Sequence, residues 1–185
     1  MRISLLFGLA VTFASVGTAG AAAGATPEVP CVNFGQVSPG IYRGADPGES
    51  CLEHLSDLGI RMVINLRDDD EDSERERVRT EALGMRYVNM PLSGFGRPSM
   101  EEVREVLAMI GTPANQPAFV HCRRGRDRTG VIIAAHRMVH EAWAAERAVA
   151  EAEDFGLAWW QFRMKRFMLD FGVEVQAAPP GSETR

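Results

Sequence analysis

The sequence predicts an α/β fold: a single domain in which a central, mainly parallel sheet of about four or five strands is flanked by helices. Three observations carry this. From Val32 onward, apolar runs of strand length alternate with segments of helical periodicity. The run Pro117-Ala118-Phe119-Val120 leads through a polar loop into Val131-Ile132-Ile133-Ala134-Ala135, a strand-loop-helix unit apolar enough to be buried at both ends. No internal repeat or second domain interrupts the alternation.

Taken in order, residues 1–25 read as a signal peptide. Arg2 supplies a minimal positive charge, Ile3 to Val16 forms an apolar core, and the small residues from Ala19 to Ala25 offer A-x-A cleavage sites. Gly8, Thr12 and Ser15 interrupt that core, and it is shorter than the run of about 20 residues that spans a bilayer. Cleavage and a periplasmic or secreted product are expected, with an uncleaved anchor as the alternative. Cys31 follows Glu28-Val29-Pro30 and is not read as a lipid attachment site. The folded domain then occupies residues 26–175. A flexible tail, 176–185, contains Pro179-Pro180-Gly181.

Within the domain, Val37-Ser38-Pro39-Gly40-Ile41-Tyr42-Arg43 predicts two short antiparallel strands around a Pro-Gly turn. Ser50-Cys51-Leu52-Glu53 has capping-box spacing and starts a helix that runs to Leu58 and stops at Gly59. Arg61 to Leu66 is the next strand. The acidic run Asp68 to Asp72 reads as a solvated loop rather than a cation site. It ends in a second capping box, Ser73-Glu74-Arg75-Glu76, which opens a charged helix closing near Gly84. Met85 to Asn89 is a strand. A third box, Ser99-Met100-Glu101-Glu102, starts a helix that aligns Val103, Val106, Leu107 and Ile110, the spacing of a helix laid on a sheet. After the strand-loop-helix unit come two more helices. One aligns Ala145, Ala148, Val149, Ala152 and Phe155; the other aligns Leu157, Trp160, Met164, Phe167, Met168 and Phe171. Both stripes are expected in the core. Trp159 and Phe162 lie off the second stripe and are expected to be partly buried, with a recognition surface as the alternative.

The chain carries 20 basic and 25 acidic side chains, a formal charge of −5. Loss of the signal removes Arg2 and leaves −6. That balance gives no reason to expect nucleic acid or stable membrane insertion. Yet four arginines and one aspartate crowd residues 123–128. Of three cysteines in an exported chain, Cys31 and Cys51 are candidates for a disulfide, leaving Cys122 free.

Five residues separate Cys122 from Arg128. A loop that short between a strand and a helix turns its N–H groups inward, and the helix adds its positive N-terminal end, so an anion fits. A sulfur at the floor of that nest favours the thiolate. Arg128 brings a planar fork that grips two phosphate oxygens. Gly125 is expected at positive φ. Thr129 either places its hydroxyl near the sulfur or is an ordinary first-turn residue. His121, on the opposite parity of the strand, is expected to be a hydrogen-bonded structural residue.

His121-Cys122-x5-Arg128-Thr129-Gly130 resembles the signature of the cysteine-dependent protein tyrosine and dual-specificity phosphatases. The segments Asn33 to Ala45 and Gly59 to Arg67 are similar to the opening of exported bacterial members of dual-specificity type. A nucleotide P-loop is excluded by the lack of Gly-x4-Gly-Lys-Ser/Thr. A rhodanese also uses a looped cysteine, but the spacing to Arg128 and the following Thr-Gly fit the phosphatases. The resemblance implies an enzyme without metal or other cofactor; the oligomeric state is open, with a monomer expected. It would hydrolyse phosphotyrosine, and sometimes phosphoserine or phosphothreonine, in proteins through a cysteinyl-phosphate.

The family's usual general acid, an aspartate on a loop before the cysteine, is absent: Met90 to Pro98 has no carboxylate, and none occurs between Glu81 and Glu101. Asp127 is the candidate instead, since the neighbouring thiolate and phosphate would keep it protonated; as the alternative it caps the following helix. Arg123, Arg124 and Arg126, with Gly125 and Thr129, are expected to contact substrate. Their placement is similar to loops of phosphoinositide and inositol-pyrophosphate phosphatases, which gives a second substrate class, although they can equally face outward. A phosphate-binding module without turnover is a third possibility.

Overall fold

A computed structural model describes residues 29–177 of the chain. The predicted signal peptide lies outside the described residues, as does the tail beyond Ala177. Five strands form one sheet: β1 (Gly35–Ser38), β2 (Ile41–Ala45), β3 (Met62–Asn65), β4 (Arg86–Asn89) and β5 (Ala118–Cys122). Their order is β1-β2-β5-β3-β4, with β1 antiparallel to β2 and every other pair parallel. β5 is therefore central, bonded to β2 on one side and β3 on the other, with Ala45 opposite Cys122 and Asn65 opposite His121. Every residue of β5 is buried, as expected of a parallel strand covered on both faces.

The helices are α1 (Glu49–Asp57), α2 (Glu71–Ala82), α3 (Met100–Gly111), α4 (Asp127–His140), α5 (Ala145–Asp154) and α6 (Phe162–Ala177). Strand parity divides the core between the two faces. Met62, Ile64, Ala118, Val120 and Cys122 pack with α3, α4, α5 and α6. Val63 and Phe119 pack on the other face with Cys51, Leu52 and Leu55 of α1. The stripe Val103, Val106, Leu107 and Ile110 is buried as its spacing predicts, each side chain contributing about 1.5–3 kcal/mol.

Ser99 and Glu102 form the reciprocal capping box, with Glu102 N–H on the Ser99 hydroxyl and Ser99 N–H on the Glu102 carboxylate. The other two boxes do not form. α1 starts one residue before Ser50, from Gly48, which offers no side-chain cap. α2 starts from Asp70, whose carboxylate accepts the Ser73 N–H at 2.9 Å. Ser73 is instead buried inside the helix, its hydroxyl donating to the Asp68 carbonyl at 2.7 Å. Asp70 caps as well as serine does, and burial of Ser73 decides between them. α6 begins only at Phe162, so Leu157 and Trp160 belong to the preceding turn; Leu157 is buried and Trp160 is 41% exposed. Trp159 and Phe162, expected to be partly buried, are 76% and 65% exposed. The helix also continues through Ala177, beyond the expected start of the tail.

Cys31 and Cys51 are joined as a disulfide across a sequence separation of 20 residues, tying the segment before β1 to α1. Closing a loop of that size restricts the unfolded chain by about 3 kcal/mol. The Cys31→Ser/Cys51→Ser double variant is expected to lose about that much stability. Urea unfolding without reductant checks this, and the difference should vanish when the parent is fully reduced.

Candidate active site

Cys122 ends β5 at the carboxyl edge of the sheet, where parallel sheets bind ligands. It is the free cysteine among the described residues and is buried. His121, one residue earlier, points to the opposite face. There it stacks on Phe119 with ring centroids 5.6 Å apart, and its Nε2 lies 2.7 Å from Glu76 Oε1. It is the structural histidine expected from its parity.

Between Cys122 and α4 the chain is shaped from behind. Gly125 has φ +64°, and a Cβ there would lie 2.4 Å from the carbonyl of Gly44 in β2. Only glycine permits both the conformation and the approach. The Gly125 carbonyl accepts Arg43 Nη2 at 2.8 Å and Asn33 Nδ2 at 2.9 Å. Asn33 Nδ2 also lies 3.3 Å from the Arg124 carbonyl. With these carbonyls held outward, the Arg124 N–H of the loop and the Thr129 N–H of α4 point to the sulfur.

Burial alone pushes the Cys122 thiol up. Four influences oppose it: hydrogen bonds from the Thr129 hydroxyl, the Thr129 N–H and the Arg124 N–H, and the charge of Arg128; the net result is a lowered pKa. The Thr129 hydroxyl is fully buried beside the sulfur, in the first turn of α4.

Arg128, in the first turn of α4, donates Nη1 to the carbonyls of Leu66 at 3.1 Å and Leu92 at 3.4 Å. These bonds anchor one edge of the guanidinium against the ends of β3 and the carboxylate-free segment. Asp127 is not the N-cap of α4; that position is Arg126, and Asp127 is the first helical residue. Its Oδ1 accepts the Ala158 N–H at 2.9 Å, holding the α5–α6 turn against the loop. Gln161, buried in the same turn, donates to the Gly94 carbonyl at 3.0 Å. The Asp127 and Gln161 bonds thus link the phosphate loop to the segment where the family's usual acid would stand. Arg97, in that segment, pairs with Asp170 of α6 at 2.7 Å.

Arg123, Arg124 and Arg126 are exposed and, with Asn33, Ala45 and Asp46, line an open cleft of about 440 Å³. Among the described residues, the donor atoms of Asp46, Glu76 and His121 come within 4.8 Å of one another. Arg67 sits 2.6 Å from Asp46, so a cation already pairs with the exposed member of this cluster. Asn33, Arg43 and Gln161 have no assigned role in the sequence reading. Arg43 alone carries a signal, a charge inside a strand, Ile41–Ala45, that the structure buries.

A thiolate-favouring cysteine, an inward amide nest and an anchored arginine at the end of a central strand define a cysteine-dependent phosphatase. Residues 35–166 match the family profile described as "DSP-PTPase phosphatase fused to NAD+ Kinase". The chain belongs to this family of dual-specificity-type protein tyrosine phosphatases, and it is a phosphatase of that type. It is 30% identical over 159 residues to inositol diphosphatase DSP1 of Oryza sativa subsp. japonica, covering 83% of this chain and 70% of that protein. It is 28% identical over 128 residues to the dual specificity protein phosphatase TpbA of Pseudomonas aeruginosa, covering 69% of this chain and 56% of that protein. Among solved structures, the core catalytic domain of the PP-IP phosphatase SIW14 from S. cerevisiae superposes with a TM-score of 0.69 at 25% identity, covering 76% of this chain and 85% of that one.

The lowered pKa has a direct consequence. The pH midpoint for alkylation of Cys122 by iodoacetamide should lie below the value of about 8.5 of a free thiol. Thr129→Val, which removes the hydroxyl, should move it upward. An unmoved midpoint in this variant would remove the hydroxyl from the account.

Proposed function

We propose that the enzyme hydrolyses phosphotyrosine in proteins, with phosphoserine and phosphothreonine as lesser substrates, through a phosphate ester of Cys122. The Cys122 sulfur attacks phosphorus in line, and the bond to the tyrosyl oxygen breaks as the S–P bond forms. Arg128 and the loop amides hold the non-bridging oxygens as charge spreads onto them. Asp127 gives its proton to the departing oxygen. A water then attacks phosphorus, the S–P bond breaks, and the thiolate leaves with the Thr129 hydroxyl on it. Asp127 takes back the proton of the water.

The aromatic rim carries the choice of an aryl ester. Phe95, one residue past the Gly94 that adjoins the Arg128 guanidinium, stacks with Trp160 at 6.2 Å between centroids. Phe95 is 78% exposed, and Trp159, next to Trp160 in sequence, is 76% exposed. Large aromatic faces left in water beside a phosphate cradle suit an aromatic ring or apolar side chain of the substrate.

The second reading, an inositol diphosphate as substrate, is supported by the cleft lined by Arg123, Arg124 and Arg126 and by the names of several relatives. Extra cations next to the cradle favour extra phosphates. An exported location is supported by the Cys31–Cys51 disulfide, a bond of oxidising compartments, together with the predicted signal.

One set of assays tests the acid and the substrate together. Asp127→Asn keeps an oxygen for the Ala158 N–H but has no proton to give. It should lower kcat on a phosphotyrosyl peptide about 100-fold. On p-nitrophenyl phosphate, whose leaving group needs little protonation, the loss should be far smaller. Equal effects on both substrates would remove Asp127 as the acid. For the parent, a kcat/KM on inositol diphosphate above that on phosphotyrosyl peptides, lost in Arg123→Gln/Arg124→Gln, would favour the second reading.

A further inference from the structure

Arg43 is a cation where a parallel strand ordinarily carries an apolar residue. Its side chain is 1% exposed, and neither Nε nor Nη1 has a partner among the described residues. Burying a guanidinium with two unsatisfied donors opposes folding, so its presence calls for a role beyond packing. Two contacts indicate the role. Nη2 donates to the Gly125 carbonyl at 2.8 Å, at the turn of the phosphate loop. The guanidinium carbon lies 3.7 Å from the centroid of the Phe155 ring, which fixes the plane of the fork. Asn33 completes the clamp, bonding the Gly125 carbonyl from Nδ2 at 2.9 Å and the Phe155 carbonyl at 3.1 Å.

We propose that Arg43 is a positioning residue for catalysis: from behind the loop it turns the Gly125 carbonyl away from the anion site and fixes the backbone that surrounds Cys122. The proposal rests on Cys122 being the nucleophile and is independent of which phosphate ester is hydrolysed.

Charge on Arg43 and charge on the sulfur stabilise each other. Burial lowers the Arg43 pKa to about 10, with Glu151 and Cys122 pulling it back up and Arg137 adding to the lowering. Arg43 is thus protonated at neutral pH. Glu151 of α5, bonded to Arg137 of α4 at 2.7 Å, shares with the sulfur in stabilising the charge of Arg43. From the front, Cys122 faces Arg128 and Thr129 of α4 and the Arg124 N–H. Asp46, just past β2, is paired with Arg67. Arg43 thus meets the loop from behind, through the Gly125 carbonyl, while Arg128 acts on the sulfur from the first turn of α4.

The test uses the full chain, with Arg43→Met and Arg43→Lys beside the parent and Cys122→Ser. The pH dependence of iodoacetamide alkylation, read without substrate, reports the thiolate. The kcat/KM on p-nitrophenyl phosphate reports the cradle. Arg43→Met should raise the alkylation midpoint by about one pH unit and lower kcat/KM about 100-fold. Arg43→Lys, which keeps the charge but not the planar fork, should restore the midpoint to that of the parent while kcat/KM stays at least about tenfold down. A folded Arg43→Met with the parent's midpoint and activity would overturn the proposal. If Arg43→Met does not fold, Arg43→Lys decides: full activity in that variant overturns the positioning role. Parent-level activity in Cys122→Ser would instead signal failure of the nucleophile assignment.

Discussion

An anion can rest on the backbone of residues 122–128 only because the carbonyls of that backbone are held elsewhere. Every inward amide implies an outward oxygen, and an outward oxygen beneath a folded domain needs a donor. Here the donors are Asn33 and Arg43, both meeting the Gly125 carbonyl. The close approach of Gly125 to Gly44 brings the loop within their reach. Loop shape, thiolate stability and the aim of Arg128 all depend on that anchoring.

The remainder of the fold keeps the anchor still. β5 is bonded on both sides, so Cys122 cannot shift without breaking register with Ala45. α4 carries Arg128 and Thr129 into the core, where Thr129 through Ala135 are buried. The α5–α6 turn touches the loop through Asp127 and the carboxylate-free segment through Gln161. Loops that carry function are commonly mobile parts on a rigid scaffold. In this domain the substrate-facing segment is tied down at Leu92 by Arg128 and at Gly94 by Gln161. Such ties favour a preformed site over one assembled by loop closure.

Much of this was legible in the residues. The strand-loop-helix unit, the parallel sheet, the stripe on α3 and the Cys31–Cys51 pairing follow from periodicity, spacing and cysteine count, which are local or nearly local signals. The places of Cys122, Gly125 and Arg128 in the loop were legible because they depend on spacing along the chain, while Thr129 stood open between two readings. Asn33, Arg43 and Gln161 were not. Each acts on a backbone carbonyl distant in sequence, 92 residues for Asn33 and 82 for Arg43, and no pattern along the chain encodes such a partner. The helix starts at Glu49 and Glu71 were misread for a different reason: several serines and aspartates could cap each helix, and tertiary burial chose among them. The stripe through Leu157 and Trp160 had helical spacing but not helical backbone, because the turn that docks on Asp127 takes those residues first.

The central claim is that catalysis passes through phosphate bound to the Cys122 sulfur. The most direct measurement is acid quench of the enzyme during turnover of a phosphotyrosyl peptide, in EDTA and reductant, followed by mass spectrometry of the peptide containing Cys122. The account predicts a transient phosphate on Cys122, formed and lost at rates compatible with kcat, and absent together with all turnover in Cys122→Ser. Phosphate release that continues in Cys122→Ser, with no phosphocysteine in the parent, would contradict it.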